Sequence, residues 1–301
     1  MKTAKTVVAM HDLSSVGRCA LTVAIPVLAA MGLQPIPAPT AVLSAHTAFP
    51  EFVSRDLTEY LGECLHEWSR MQLHFDCIYT GYLASTRQAE IALQFFSEQK
   101  NARIVVDPVL GDDGQMYRAL PKDMPKFMRL LCAGADLITP NLTEAALLTD
   151  TPYAGNAVTP EELQILLQKL CALGAKTALI TGAVLRGEGE ISPEKSVCDT
   201  PLGTRVDLLE GRHVNAWMGP DGIVHTIEYS PIHAAFPGTG DLFASVVAGA
   251  CTLGKSLENA VQIATEYTRM AMQYTVECET TPVYGVQIEK TLDTLIKMIK
   301  E

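Results

Sequence analysis

The stretch that decides the fold runs from residue 103 to residue 148, opening on RIVVDPVLGDDG (103–114) and closing on LITPNLTEAALL (137–148). Each piece begins with a short β-branched or apolar run that does not alternate with polar residues. Each run leads to a helical pattern, over residues 124–132 in the first case and 143–148 in the second. A strand without a polar face is buried on both sides, and strands separated by helices join in parallel. The same reading extends outward. Residues 6–10, 77–80 and 177–181 read as further strands, and 57–70, 86–97 and 160–173 as helices. From residue 205 to 229 the segments alternate and are broken by Gly211 and by Gly219-Pro220-Asp221-Gly222, which predicts antiparallel strands and a tight turn at one sheet edge. Helices over 242–253, 257–274 and 287–299 finish the chain. The pattern predicts a three-layer α/β/α sandwich with a mostly parallel central sheet and an antiparallel edge.

Composition agrees with that class. The chain has 301 residues, 48% hydrophobic and 19% charged, so it can bury a large core and is not a disordered tail, a fibrous repeat or a disulfide scaffold. No internal repeat, low-complexity tract or Pro/Ser-rich linker divides it, which predicts a single domain over residues 1–301. The balance of 34 acidic against 23 basic side chains, net −11, argues against a nucleic-acid partner, because phosphate attraction depends on clustered Lys and Arg. Eight scattered cysteines show no metal or redox spacing and read as reduced core thiols of a cytoplasmic protein. The longest apolar stretch, 19–33, contains Pro26 and Gly32 and falls short of the roughly 20 residues of a bilayer span. It follows Asp12 and Arg18, unlike a signal peptide, so no membrane partner is expected.

Three motifs could carry chemistry. Pro237-Gly238-Thr239-Gly240-Asp241 precedes an apolar, small-residue run. Two glycines allow a tight turn with bared N–H groups, and the following helix start adds a positive dipole end, so the turn can hold an anion. Asp241 there reads either as an N-cap or as a carboxylate that takes a proton from a hydroxyl attacking a phosphoryl group. In the second motif a buried strand ends in Asp107, with Asp112 and Asp113 in a Gly-bounded loop. That is an oxygen set suited to Mg²⁺, or else an Asp-Pro turn with an Asx loop. In the third, Asn141, Thr143 and Glu144 follow a strand and read as helix capping or as further ligands. Ligands in open α/β sheets sit at the carboxyl ends of the strands. Metal plus phosphate is the economical reading of all three together.

These residues also resemble a family. GTGDLF (238–243), DPVLGD (107–112), TPNLTEA (139–145), TGYL (80–83) and SAHT (44–47) are similar, in order, to the vitamin B6 kinases of the ribokinase-like superfamily. The resemblance implies a ribokinase-like fold and ATP-dependent phosphorylation of the 5′-hydroxymethyl group of pyridoxal, pyridoxamine or pyridoxine, in pyridoxal 5′-phosphate salvage, by a homodimer. It implies Asp241 as the catalytic base and Gly238, Thr239 and Gly240 as the turn whose amides stabilise the transferring phosphoryl group. Asp107, Asp112, Asn141 and Glu144 match positions tied to Mg²⁺, a monovalent cation such as K⁺ and the ATP phosphates. Asp107, Asp112 and Glu144 are the metal positions among them. Thr139 and Thr181 match positions near the nucleotide phosphates or the monovalent cation. His46, Thr47 and Tyr82 match the wall around the pyridine ring, and the loop 111–120, with Tyr117, matches one that closes over the nucleotide.

The chain departs from the family in two places. Many relatives carry a Ser-His pair after the first strand, whereas this chain reads HDLSSVGR (11–18), so Asp12 or Ser14 would take over the substrate contact. The same segment is similar to the hydroxymethylpyrimidine kinases of thiamin synthesis. Some relatives also place a lysine after the strand 177–181, where this chain has Gly182-Ala183-Val184, so cations would supply more of the charge facing the phosphates. Two alternatives therefore stand beside the B6 kinase: a hydroxymethylpyrimidine kinase and a catalytically silent pyridoxal-binding protein. The histidines show no ligand spacing, which argues against His11, His46, His66 or His74 as metal ligands. Trp68 and Trp217 read as packing residues, and no GxSxG elbow suggests a hydrolase. An acidic chain repels ATP overall, so its affinity should depend on the glycine turn, the helix start and a divalent cation.

Overall fold

Hydrophobic strands with no polar face build the middle of the molecule. A computed structural model describes residues 3–155, 157–187, 196–199, 205–208 and 211–301. The chain begins with β1 (Thr6–Ser14), α1 (Leu21–Ala30), β2 (Gln34–Leu43), β3 (Ser54–Asp56) and α2 (Thr58–Arg70). It continues through β4 (Cys77–Thr80), α3 (Thr86–Glu98), β5 (Arg103–Val106) and a small hairpin, β6 (Gly111–Asp112) and β7 (Gln115–Met116). Then come α4 (Met124–Ala133), β8 (Leu137–Ile138), α5 (Leu142–Thr149), β9 (Ala157–Val158), α6 (Pro160–Ala172) and β10 (Ala178–Leu185). After β11 (Ser196–Asp199), β12 (Arg205–Leu208), β13 (Arg212–Met218) and β14 (Val224–Tyr229) the chain ends in α7 (Thr239–Leu253), α8 (Leu257–Glu277) and α9 (Leu292–Lys300).

One sheet has the order β14-β13-β10-β8-β5-β4-β1-β2-β3, with β9 added beside β10. Its centre, from β2 to β10, is parallel. Successive residues of each central strand enter opposite layers. Val8, Ile78 and Val106 pack under α2 to α6 with Leu61, Phe95, Met128 and Leu167. Val7, Tyr79 and Val105 pack under α1, α7, α8 and α9 with Val27, Val246, Ala264 and Leu295. The result is the three-layer α/β/α arrangement expected from the absence of alternation.

The antiparallel edge is present, where β10 pairs with β13 and β13 with β14, and Gly222 N–H donates to Gly219 O in the turn between the last two. The opposite edge is antiparallel as well, since β3 pairs with β2. Residues 205–208 lie off the main sheet, because β12 pairs with β11 alone. The longest elements that escaped the sequence reading are α1 and β2, beside the short strands β3, β6, β7, β9 and β11. The apolar stretch read only for membrane potential is the buried helix α1, with Pro26 inside it. β2 carries Pro35, Pro37 and Pro39, a pattern that argues against a strand. Gln34 N–H donates to Lys5 O on the β1 side, so the amide positions of the alternate residues 35, 37 and 39 point to the side that β3 joins only at 41–43. Near the C-terminus, residues expected to open a helix at 287 run instead as a loop to 291, where Gln287 N–H donates to Thr275 Oγ1 (2.8 Å). Cys19, Cys77, Cys132 and Cys251 are buried free thiols, but Cys278 is exposed, and the side chain of Cys198 lies outside the described residues. Trp68 packs on Phe75 and Phe95, and Trp217 stacks on His225. No helix among the described residues is long and apolar enough to cross a membrane.

Candidate active site

The strands deliver their ends to one rim. Asp107 follows β5, Thr139 and Asn141 follow β8, Thr181 lies in β10, and α7 starts opposite them. Gly238 caps α7 with φ 80°, and a Cβ there would stand 2.1 Å from Arg18 O, so this turn requires glycine on both conformational and steric grounds. Thr239 Oγ1 donates to Phe236 O (2.7 Å), tying the turn to the preceding loop. The first-turn amides of a helix have no intrahelical acceptor, which leaves those of Gly240 and Asp241 for a ligand.

Asp241 stands in that first turn with 17% of its side chain exposed, its Oδ2 accepting Ala20 N–H at 2.8 Å. Burial raises its pKa, while the Ala20 hydrogen bond and the nearby His46 pull the other way. Across the rim Thr139 Oγ1 donates to Asp107 Oδ1 (3.2 Å). Burial, reinforced by the charge of Asp241, pushes Asp107 up to about 8. Glu144 is raised well above the ordinary carboxylate range, by burial first and the charge of Asp107 second. Its Oε2 accepts Asn141 N–H (2.9 Å) and its Oε1 accepts Leu110 N–H (3.1 Å). Asn141 completes the capping box by accepting Glu144 N–H, and its Nδ2 donates to Gly111 O. The capping alternative is thus realised, and it anchors the β6–β7 hairpin to the rim.

A cavity of about 540 Å³ opens between these groups. It is lined by Asp107, Asp112, Thr139, Asn141, Glu144 and Thr181, by Tyr117 just after β7, and by Gly238, Thr239, Gly240 and Asp241. Every residue grouped with nucleotide, metal or phosphate from the sequence therefore meets here. The same wall includes residues that the sequence reading missed: Asn215 of β13, Thr265, Thr268 and Arg269 of α8, and Phe236 and His233 of the loop before α7. Asn215 accepts Gly182 N–H (3.1 Å) and donates to Thr265 (2.9 Å), joining β10 to α8. No local motif marks these positions, because the helical spacing of Thr265, Thr268 and Arg269 is that of any helix face.

Of the residues grouped with the substrate, Asp241 alone lines this cavity, and Asp12, Ser14, His46, Thr47 and Tyr82 do not. Asp12 and Ser14 end β1 outside the lining of this cavity, joined by a hydrogen bond from Ser14 Oγ to Asp12 Oδ2 (2.7 Å). Burial raises the Asp12 pKa, and Asp241 adds to it. Tyr82 follows β4, its phenol raised by burial and then by the charge of Asp12. His46 is buried with both ring nitrogens engaged, Nε2–H donating to Val283 O (2.7 Å) and Nδ1 accepting Ala48 N–H (3.2 Å). Thr47 is exposed next to it. His11, set aside from the sequence, is buried with its Nδ1 3.7 Å from Asp241 Oδ1.

Residues 25–284 match the phosphomethylpyrimidine kinase family. The chain belongs to this family. Among its relatives, pyridoxal kinase from Sus scrofa is 29% identical over 252 residues, 78% of this chain and 71% of that protein. The solved structure of pyridoxal kinase from Lactobacillus plantarum is 32% identical with a TM-score of 0.83, covering 98% of this chain and 97% of the other. A Bacteroides thetaiotaomicron VPI-5482 structure described as a phosphomethylpyrimidine kinase, in a crystal form with pyridoxal, is 37% identical with a TM-score of 0.82 over 97% of this chain and 96% of that one. The kinase thus has the ribokinase-like fold that the motifs imply.

Proposed function

We propose that this kinase transfers the γ-phosphoryl group of ATP to the 5′-hydroxymethyl group of a B6 vitamer, pyridoxal, pyridoxamine or pyridoxine, for pyridoxal 5′-phosphate salvage. The observation that carries the reading is the partly exposed Asp241 carboxylate beside the free amides of its own helix start, at the junction of the acid-lined cavity and the Asp12 cluster. In this reading Asp241 accepts the hydroxyl proton as that oxygen attacks the γ-phosphorus, and its raised pKa brings the base nearer to the working pH. Amides of the turn at Gly238 to Asp241 meet the developing charge. Asp12, Ser14, His46, Thr47 and Tyr82 surround the ring of the vitamer.

Four carboxylates, Asp107, Asp112, Glu144 and Asp241, line the nucleotide cavity, and Arg269 is the single Lys or Arg among the described lining residues. A polyphosphate needs more positive charge than that. Among the described residues no group of three His, Cys, Asp or Glu is arranged to hold a metal alone. Mg²⁺ does not need such a cage, because it commonly takes one or two carboxylates, waters and substrate phosphates. Asp107 and Asp112 fit that role as direct partners, whereas Glu144, with both oxygens accepting backbone N–H groups, fits one through water. When bound, the ion neutralises phosphate charge. Thr139, Thr181 and Asn141 would meet the phosphates and a monovalent cation such as K⁺, and Tyr117 would cover the nucleotide. Residues 1–301 act as one domain, in keeping with the lack of a linker or repeat, the unpaired cysteine pattern suits a cytoplasmic kinase, and a homodimer follows by analogy with the family.

The description of the matched family favours a second reading, a hydroxymethylpyrimidine kinase. ADP release from Mg-ATP, measured with pyridoxal, pyridoxamine, pyridoxine and hydroxymethylpyrimidine in turn, separates the two. Release with the B6 vitamers is the expected result. Release with the pyrimidine alone would overturn the proposed substrate, and none with any acceptor would favour the silent binder.

A further inference from the structure

His11 is placed with unusual constraint. The β1–β2 register slips between His11, opposite Pro39, and Leu13, opposite Val42, as the strand reaches the rim. The imidazole lies against Tyr79, ring centroids 4.6 Å apart and tilted by 60°. It also packs against the backbone of Gly81, where a Cβ would stand 1.9 Å from His11 Cε1. The ring is fully buried, and neither Nδ1 nor Nε2 has a hydrogen-bond partner among the described residues. A buried polar atom left without a partner is costly, so an imidazole with two of them calls for a reason. What Nδ1 faces is Asp241 Oδ1, 3.7 Å away, beyond hydrogen-bond range. The other oxygen of that carboxylate is already held by Ala20 N–H.

We propose that His11 is a positioning residue for Asp241, which closes this gap when substrates bind and donates Nδ1–H to Oδ1, so that the carboxylate is gripped from both sides. Bonds to catalytic groups are often long in the free enzyme and tighten in the Michaelis complex. Each carboxylate oxygen has two lone pairs, so both grips leave one for the substrate hydroxyl. Burial pushes the imidazole down to about 4, which keeps it neutral, with one N–H to give. A donor at Oδ1 favours the ionised carboxylate and offsets part of the burial that raises it. The titratable groups facing Asp241 are His11 and Asp12 from β1, Cys19 before α1, His46 after β2, Tyr79 in β4, Asp107 after β5 and Tyr117 after β7. Only His11 combines a nitrogen free of other partners with this approach to Oδ1.

The inference rests on Asp241 as the base, and the test separates the two. His11→Leu removes the donor, His11→Asn keeps an N–H near the Nδ1 position, and His11→Gln moves it toward Nε2. Each full-length variant is assayed for kcat and KM across pH with Mg-ATP and whichever acceptor supports ADP release, beside Asp241→Asn. For His11→Leu we expect kcat to fall about 10- to 100-fold, less than the roughly 10² to 10⁴ of the base itself, with KM within about twofold. The acid limb of kcat moves upward, and His11→Asn restores both rate and limb while His11→Gln does not. Wild-type kcat with an unmoved acid limb in His11→Leu, while Asp241→Asn collapses, overturns the role of His11 alone. Wild-type turnover in Asp241→Asn overturns the base and this inference together. Should His11→Leu not fold, equal kcat and equal acid limbs in the Asn and Gln variants overturn the proposal.

Discussion

Replacing His11 by leucine should flatten the acid side of the stability profile of the kinase. The ordinary imidazole value is 6.5, and burial holds His11 at about 4 in the folded chain. Between those values the unfolded chain binds a proton that the folded chain refuses, so the contribution of His11 to stability is fully present above pH 6.5 and is lost as the pH falls toward 4. At about 1.4 kcal/mol per pH unit the loss reaches roughly 2.5 kcal/mol at pH ~4.5. Asp12, Asp107, Asp241 and Glu144 have raised values and act with the opposite sign in the same window. The readout is therefore the difference between wild type and variant, not the slope of either. Denaturant unfolding at pH ~7.5 and pH ~4.5 should show wild type losing about 2.5 kcal/mol more than His11→Leu. At the higher pH the leucine variant should be at least as stable as wild type, since it deletes two buried nitrogens without partners. Parallel losses in the two proteins would refute the buried, neutral state of His11.

Asp241→Asn should leave the melting temperature and ATP binding near wild type and lower kcat by about 10² to 10⁴, measured by ADP release. Gly81→Ala drives a methyl group into a ring boxed in by Tyr79, and denaturant unfolding should show a loss of about 1 to 3 kcal/mol. An unchanged midpoint there would mean that the ring has room to move. Arg269→Gln removes the single arginine among the described lining residues, and should raise KM for ATP about threefold to tenfold in an effect that shrinks with added salt while KM for the acceptor stays put. KM for ATP unchanged at low salt would take Arg269 out of nucleotide binding.

Much of this was legible along the chain. Non-alternating runs such as Ile104 to Val106 declare a strand buried on both faces, whatever packs on it, and PGTGD declares a turn before a helix. Both are local properties of a few adjacent residues. The sequence was least informative where two local signals conflict. Pro35, Pro37 and Pro39 read as anti-strand, yet they are harmless in β2 because their amide positions all point away from β1. The double character of Glu144, cap and cavity wall at once, stays open at the level of sequence, since spacing specifies the capping box but not what the carboxylate faces.

What the sequence determined by itself is the class of fold, the rim at the carboxyl ends of the strands, and the set of acidic and glycine-bearing segments that reach it. Periodicity and short motifs carry that information because it depends on neighbours within a few residues. Only the tertiary structure decided which polar groups meet. Arg269 and Asn215 join the cavity because α8 and β13 pack beside β10 and α7. His11 faces Asp241, 230 positions later in the sequence, because Gly81 lacks the Cβ that would fill its place and Ala20 turns the carboxylate toward it. A histidine without a partner is an interaction between distant segments, and no reading of the ten residues that lead to it contains the other half.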